Sequence, residues 1–110
     1  MECNVPEKEF IKLLGDLGTD RLRIRLHTER GQLTDVVVQY EAQLTDEWVA
    51  IVRYDTSHGY PHRDVLHPDG TKDKYTLSFP DLTAFLQYAE QDLKDRWEWY
   101  RERFLKEVTG

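Results

Sequence analysis

The N-terminal segment carries its apolar residues at helical spacing. Pro6 suits the first position of a helix, where its missing N–H would have no partner anyway, and Gly15 is placed to end one. Four apolar side chains fall on a single side of that helix, at Phe10, Leu13, Leu14 and Leu17. The pattern predicts a short helix over residues 6–14.

From Arg21 the period of the pattern changes to two, which is typical of half-buried strands. The alternating apolar positions are Leu22, Ile24 and Leu26 in a first strand, and Val36, Val38, Tyr40 and Ala42 in a second strand over residues 33–44. With a loop over residues 30–32, the predicted pairs are Leu26 with Val36, Ile24 with Val38, Leu22 with Tyr40, His27 with Asp35, and Arg21 with Glu41. A slip by one residue would destroy both the apolar and the charge matching, so this register is the one predicted.

Two further strands follow. The strand over residues 48–55 is apolar on both sides, as expected at the centre of a sheet. One of its faces is predicted to carry Trp48, Ala50, Val52 and Tyr54. The turn Pro68-Asp69-Gly70 leads into a strand over residues 74–79, because proline fixes φ and glycine accepts a positive φ.

A long helix closes the sequence, with Asp81 as its expected N-cap. Apolar residues then keep helical spacing to near the end, at Leu82, Phe85, Leu86, Ala89, Leu93, Trp97, Tyr100 and Phe104. Such a helix is longer than the strands it covers, so its last turns are expected to overhang the sheet. That end is a predicted surface for homodimer formation or partner docking, and it carries Trp99, Tyr100, Phe104 and Leu105.

Strands in succession followed by a helix indicate an α+β fold rather than a parallel nucleotide-binding sheet. We therefore expect residues 1–110 to form a single α+β domain. Its parts are a short N-terminal helix, an antiparallel meander of four or five strands, and a long C-terminal helix packed on one sheet face.

Composition limits the classes of function. The formal net charge of −6 disfavours nonspecific binding to DNA or to an anionic membrane, because both require a basic field. Cys3 is alone, which excludes an internal disulfide framework or a thiolate zinc cluster, and no familiar metal or cofactor motif is matched. The sequence shows no leader and no long apolar run, so a cytoplasmic protein without a membrane partner or a cofactor is expected.

The segment RYDTSHGYPHRDVLHPDG, residues 53–70, concentrates the reactive side chains. Pairing of its strands would set Val52 opposite Val65, Arg53 opposite Asp64, and Asp55 opposite His62. His58 falls in the connecting loop, whereas parity makes His67 a turn residue. The same registers bring to this face, away from the long helix, Arg21, Arg23, Arg25, Gln39 and Glu41.

Three kinds of chemistry fit such a polar face. Histidines with arginines are the minimal equipment of a metal-independent ribonuclease, because imidazole titrates near neutral pH and arginine stabilises developing negative charge. The catalytic candidates are then His58, His62, Arg53 and Asp64, and the substrate-binding candidates are Arg21, Arg23, Arg25 and Asp55. Alternatively, a divalent metal is held by His58, His62 and Asp64, with Asp55 as an optional further ligand. In the third interpretation, Arg53–Asp64 and Asp55–His62 are only cross-strand pairs.

The run VRYDTSHGYPHRDVLHPDG, followed by a strand and a long helix ending in WEWYRERF, resembles a family of small prokaryotic proteins of unknown function. More distantly, RYDTSHGYPHRD is similar to the tyrosine–aspartate, glycine and paired-histidine hairpin of the TumE-type toxins of prokaryotic toxin–antitoxin systems. On that likeness the shared hairpin corresponds to Tyr54, Asp55, Gly59 and His62, and Asp64 replaces a second basic or histidine position. The resemblance implies a toxin-like component with an antitoxin-like protein partner, acting on RNA.

Two functions are therefore expected from the sequence. The first is a toxin-like endoribonuclease that uses the histidine hairpin. The alternative is a non-catalytic interaction module in which the long helix forms a dimer or docks a partner, and the hairpin is framework.

Overall fold

Six strands precede a single helix in the part of the chain that the structure describes. The computed structural model describes residues 7–57 and 59–109. The elements are β1 (Glu7–Leu13), β2 (Asp20–Glu29), β3 (Gln32–Leu44), β4 (Glu47–Asp55), β5 (His62–Leu66), β6 (Lys72–Thr76) and α1 (Leu82–Thr109). The strands form one antiparallel meander in chain order, and α1 packs on one face of it. The expected α+β fold is confirmed, with six strands rather than four or five.

The predicted N-terminal helix is wrong, because residues 7–13 form an edge strand paired with β2, with Phe10 opposite Ile24. Apolar residues three and four positions apart fit a helix, but a helix so short is unstable by itself. An open sheet edge instead offers backbone hydrogen bonds along the whole segment. Leu17, expected on the inner side of the helix, is 84% exposed. Pro6 lies outside the described residues.

The predicted register of β2 and β3 is confirmed. The structure pairs Leu26 with Val36, Ile24 with Val38, Leu22 with Tyr40, His27 with Asp35, and Arg21 with Glu41. The loop is shorter than predicted, since Arg30 and Gly31 alone form the turn. Both have positive φ, 52° and 77°, as a type I′ turn requires. A register shift after His27 accommodates the extra residue.

A bulge in β4 changes which residues share a face. Tyr40 pairs with Val52 but Glu41 pairs with Ala50, so Ile51 is the extra residue. The face predicted for this strand is therefore wrong in its first half, because Trp48 and Ala50 lie on one face of the sheet and Val52 and Tyr54 on the other. The alternation could not reveal this, because residues 49–52 are all apolar.

The hairpin of β4 and β5 has the predicted register. It pairs Val52 with Val65, Arg53 with Asp64, and Asp55 with His62. The next strand begins and ends earlier than predicted, at Lys72 and Thr76. Leu77 and Phe79, predicted within that strand, pack against the core after it has ended.

The helix begins as predicted. The Ala84 N–H donates a hydrogen bond of 2.8 Å to Asp81 Oδ1, which confirms Asp81 as the N-cap. The buried helix side chains are Phe85, Ala89, Leu93, Tyr100 and Phe104. Since Tyr100 and Phe104 belong to the core, the predicted partner surface at the helix end is reduced to Trp99, which is 55% exposed, and the partly exposed Leu105.

The core lies between α1 and one face of the sheet. From the sheet, its buried members are Leu22, Ile24, Val36, Val38, Tyr40, Ala42, Ile51, Val52, Tyr54 and Val65. The opposite face carries Arg21, Arg23, Arg25, Arg53 and Glu41, as the alternation predicts. No helix in the described part of the chain has the length and apolar content that a membrane crossing requires.

Candidate functional site

A polar row crosses four strands on the face opposite to α1. Arg23 pairs with Gln39, Gln39 with Arg53, and Arg53 with Asp64, as predicted. Arg53 Nη1 donates to Gln39 Oε1 at 3.2 Å, so neighbouring members of the row also make contact through their side chains. The row leads from the N-terminal strands to the histidine hairpin.

The hairpin end of this face is a buried centre formed by Asp55, His62 and Asp64, which we name the His62 centre. The three residues are 3%, 1% and 3% exposed. His62 Nε2 lies 3.2 Å from Asp55 Oδ1 and 3.6 Å from Asp64 Oδ2. The sequence predicts that these residues come together, and they do. The burial of these three residues is not predicted by the sequence.

Asp55 is fixed from two sides. Arg53 Nε donates to its Oδ2 at 2.6 Å, and the Ser57 N–H donates to its Oδ1 at 2.7 Å. Burial acts to raise the pKa of Asp55, but the Ser57 amide and the Arg53 guanidinium outweigh it and hold this pKa below its ordinary value. Asp55 is therefore a carboxylate at neutral pH.

Asp64 is less well satisfied. Arg53 lies opposite to it in the register but directs its guanidinium to Asp55. Lys72 Nζ is 3.5 Å from Asp64 Oδ2, and Asp64 Oδ1 is buried without a hydrogen-bond partner in residues 7–57 and 59–109. A buried carboxylate oxygen without a donor is costly, so it marks a place where a cation would be stabilised.

The two ring nitrogens of His62 both face acceptors. Nδ1 lies 3.3 Å from the Tyr60 carbonyl oxygen, and Nε2 faces the carboxylates of Asp55 and Asp64. A neutral imidazole carries only one N–H, so it cannot donate in both directions. With the N–H on Nδ1, the ring presents its Nε2 lone pair to the two carboxylates, and a metal ion on Nε2 would suit that arrangement.

The open part of the polar face is a groove of two adjoining pockets. The larger, about 420 Å³, is lined by Glu7, Arg25, His27, Asp35, Val37, Arg53 and Ser57. The smaller, about 210 Å³, is lined by Glu9, Arg23, Arg25, Val37, Gln39 and Arg53. Because Arg25 and Arg53 line both pockets, we name this feature the arginine groove.

The predicted substrate-binding arginines differ in their partners. Arg21 donates to Glu41 at 2.8 Å and stacks on Trp48, with 3.8 Å between its guanidinium carbon and the ring centroid, so it is held away from the groove. Arg23 donates to Glu41 at 3.2 Å and to Glu9 at 2.8 Å. Arg25 makes no hydrogen bond or ion pair with any described residue.

Burial acts to raise the pKa of Glu41, but its hydrogen bonds from Arg21 and Gln39 lower that pKa overall. Glu41 is therefore a charged carboxylate that balances part of the positive charge of Arg21 and Arg23. Among the arginines of this face, Arg25 alone makes no ion pair with a described residue.

Two other sequence-predicted residues, Tyr54 and Gly59, lie outside the His62 centre and the arginine groove. His58 lies outside the described residues, so its expected catalytic role stays a prediction. Tyr54, part of the shared hairpin, faces α1 and donates to Asp92 Oδ2 at 2.6 Å. Gly59 adopts a φ of +83°, and its N–H donates to the Thr56 carbonyl at 3.0 Å, which closes the turn after β4.

Sequence reasoning missed a second histidine cluster. His67 Nδ1 lies 2.7 Å from Glu107 Oε1 and Nε2 lies 2.9 Å from Asp73 Oδ2. These three residues, which we name the His67 clamp, join the β5–β6 hairpin to the end of α1. The two carboxylates raise the pKa of His67 above its ordinary value. No local pattern pairs residues so distant in sequence, and His67 is more than a turn residue.

Together these features define the class of the protein: an α+β domain with a six-stranded antiparallel meander, a helix on one face and a histidine–carboxylate centre on the other. The chain belongs to the family described as a domain of unknown function (DUF7718), whose profile matches residues 5–110. No curated protein and no solved structure matches the chain. The expectation of a family of unknown function is confirmed at that level, and the likeness to TumE-type toxins stays a prediction.

Proposed function

We propose that this protein binds a phosphate-bearing ligand, namely single-stranded RNA, in the arginine groove. The observation that carries the proposal is the isolation of Arg25. It lines both pockets and has no anionic partner among the described residues, whereas Arg23 and Arg53 are held by carboxylates. An exposed guanidinium flanked by two oriented ones suits a phosphate, which arginine binds in a bidentate manner.

Arg23 and Arg53 are oriented for this role by their own contacts. In each, the hydrogen bonds to described residues use Nε and Nη1, which leaves the second terminal nitrogen for a ligand. Their carboxylate partners hold the guanidinium planes in place before binding, so less conformational entropy is lost on complex formation. The acidic net charge of −6 makes weak, strongly salt-dependent binding the expected behaviour.

A toxin-like endoribonuclease, acting in the cytoplasm beside an antitoxin-like partner, is the catalytic form of this proposal. Asp55 supports it by linking the groove to His62, because the Arg53 and Ser57 groups that line the larger pocket both hydrogen-bond to Asp55. His62 itself is 1% exposed, so proton transfer to RNA requires the His62 centre to open toward the groove. Binding is thus expected from the closed form, and cleavage only from an opened one.

The binding test is fluorescence polarisation with a labelled single-stranded RNA at low salt. Arg25→Gln should weaken binding about tenfold, since a charge-assisted hydrogen bond contributes about 1.5–3 kcal/mol. It should also flatten the salt dependence by about 0.7 in the logarithmic slope. The matched control is Arg30→Gln, which removes the same charge at the β2–β3 turn.

Equal weakening by the two substitutions, or no binding by the unmodified protein at low salt, would refute the groove as a binding site. Cleavage is scored in the same samples on a denaturing gel. A ribonuclease should lose cleavage in His62→Ala, provided that circular dichroism shows this variant to be folded. Intact RNA with the unmodified protein, with and without divalent metal, would remove the catalytic form.

One observation favours a second function, the non-catalytic interaction module. Trp99 is 55% exposed on α1 and lines a pocket of about 440 Å³ together with charged residues of the helix end. Large exposed aromatic side chains are typical of interface centres. Light scattering should then show a dimer that becomes monomeric in Trp99→Ala. A monomer at all concentrations that also captures no antitoxin-like partner would exclude this function.

A further inference from the structure

We propose that the His62 centre binds one divalent transition-metal ion through Asp55, His62 and Asp64. Imidazole nitrogen and carboxylate oxygen together suit Zn²⁺ or Mn²⁺ better than Mg²⁺, which prefers oxygen ligands alone. The sequence matched no familiar metal motif, so the argument comes from the three-dimensional arrangement. It is independent of RNA binding.

The spacing of the donor atoms suits a single ion. Ligands bound at about 2.1 Å lie about 3.0 Å apart in an octahedral shell and about 3.4 Å apart in a tetrahedral one. His62 Nε2 lies 3.2 Å from Asp55 Oδ1 and 3.6 Å from Asp64 Oδ2, and one donor atom from each residue lies within 4.8 Å of the others. Small side-chain adjustments would bring all three onto one ion.

Two observations fit a cation held between these three residues. Asp64 is only 3% exposed, and its Oδ1 has no hydrogen-bond partner in the described part of the chain. His62 Nδ1 faces the Tyr60 carbonyl, so an N–H on Nδ1 leaves the Nε2 lone pair directed at two carboxylates. That tautomer is the one found in metal-bound histidines, where the outer nitrogen donates to a carbonyl and the inner one binds the ion.

The neighbouring cations permit an ion here. Arg53 bonds Asp55 Oδ2 at 2.6 Å, so it orients this carboxylate from outside while Oδ1 faces His62. The Lys72 side chain is 50% exposed and its Nζ lies 3.5 Å from Asp64 Oδ2. Lys72 can turn into solvent when a metal ion replaces it. Three protein ligands with water in the remaining positions form the ordinary shell of an open metal site.

The competing explanation is a proton. An imidazolium at His62 would donate to both Tyr60 and Asp55 and would form an ion triad with the two carboxylates. The two explanations differ in a measurable way, because a triad needs no metal and a metal site binds one equivalent with saturation.

The experiment uses the full chain, stripped with a chelator and dialysed, then titrated calorimetrically with ZnCl₂ and with MnCl₂. We expect one equivalent of Zn²⁺ to bind with a micromolar or lower Kd and to raise the Tm. Co²⁺ should give visible d–d absorption, and imidazole nitrogen NMR should show a zinc-induced shift at His62 Nε2. Asp64→Asn, which preserves shape, should weaken Zn²⁺ binding at least tenfold.

The control is His27→Gln, which removes an imidazole on the same sheet face and should leave Zn²⁺ affinity unchanged. His62→Gln should likewise weaken Zn²⁺ binding at least tenfold. If that variant does not fold, Asp64→Asn decides, because it changes only one atom of a carboxylate. The proposal is overturned if the stripped protein shows no saturable binding up to millimolar Zn²⁺ and Mn²⁺, or if Asp64→Asn and His27→Gln behave alike. Because no RNA is present, neither result depends on the arginine groove.

Discussion

Asp92 is expected to be the strongest single polar anchor between α1 and the sheet. Tyr54 donates to its Oδ2 at 2.6 Å, Tyr100 donates to the same oxygen at 2.8 Å, and Arg96 Nε donates to Oδ1 at 2.8 Å. Tyr54 is fully buried, and the Asp92 side chain is 8% exposed. Burial first and the hydrogen bond to Asp92 second raise the pKa of Tyr54 above its ordinary value, so its hydroxyl is a donor at neutral pH.

Asp92→Ala removes both acceptor oxygens at once and leaves the Tyr54 hydroxyl without its carboxylate. A hydrogen bond to a charged group contributes about 1.5–3 kcal/mol, and an unpaired buried polar group costs about 1–3 kcal/mol. The exposed Arg96 contact adds only about 0.3–0.5 kcal/mol. Since the first two effects overlap, we expect the free energy of unfolding to fall by about 3–4 kcal/mol. That is a large share of the roughly 5–15 kcal/mol typical of a domain.

Urea unfolding followed by tryptophan fluorescence measures this loss as a fall in midpoint at constant m-value. The matched control is Asp95→Ala on the same helix, where an exposed carboxylate accepts from Gln91 at 2.9 Å and from no other described residue; a loss within about 0.5 kcal/mol is expected. Tyr54→Phe should cost less than Asp92→Ala, and a double-mutant cycle should show coupling of these two residues. Equal losses for Asp92→Ala and Asp95→Ala would refute the anchor.

Two further predictions concern the His67 clamp and the glycines after β1. Because the folded-state pKa of His67 is raised, its stabilisation is complete below the unfolded value of about 6.5 and is lost as pH rises through the folded pKa. His67→Asn should therefore lower the free energy of unfolding, measured by urea, more at pH 5.5 than at pH 8.5. The loss should stay under about 1 kcal/mol, as expected for partly exposed ion pairs. A loss that does not change with pH would contradict this. Gly15→Ala should lower the free energy of unfolding more than Gly18→Ala does. The two glycines have similar positive φ values, +69° and +72°, but the new Cβ would meet Trp97, at 2.9 Å, only at Gly15. Equal urea midpoints for the two variants would show that Trp97 moves aside without cost.

The strand pairings were predictable because two patterns agreed. Apolar alternation and charge matching select the same β2–β3 register, for instance Ile24 with Val38 and Arg21 with Glu41. The first strand was not predictable, since its apolar spacing also fits a helix and the deciding interaction is pairing with a distant strand. The bulge at Ile51 was not predictable for a different reason. Where successive residues are all apolar, the sequence does not show which of them face the core and which face the other side of the sheet.

The candidate site divides in the same way. Register alone brings Asp55, His62 and Asp64 to one place, and the sequence predicts this. It does not predict that Arg53 turns to Asp55 rather than to Asp64, since side-chain direction depends on all neighbours at once. Lys72, on the far strand, stands beside Asp64 instead. Whether a polar cluster is exposed or buried likewise depends on what packs over it, which alternation cannot show.

Arg53 determines how the two proposed sites must be separated experimentally. Its Nε holds Asp55 of the His62 centre, while its guanidinium lines both pockets of the arginine groove. An Arg53 substitution would therefore disturb metal binding and RNA binding together and would not distinguish them. Arg25 lines the groove but is not part of the His62 centre, and Asp64 is part of the centre but does not line the groove. RNA affinity in Arg25→Gln and Zn²⁺ affinity in Asp64→Asn are consequently the two measurements that can fail separately, and each failure removes one proposal while leaving the other intact.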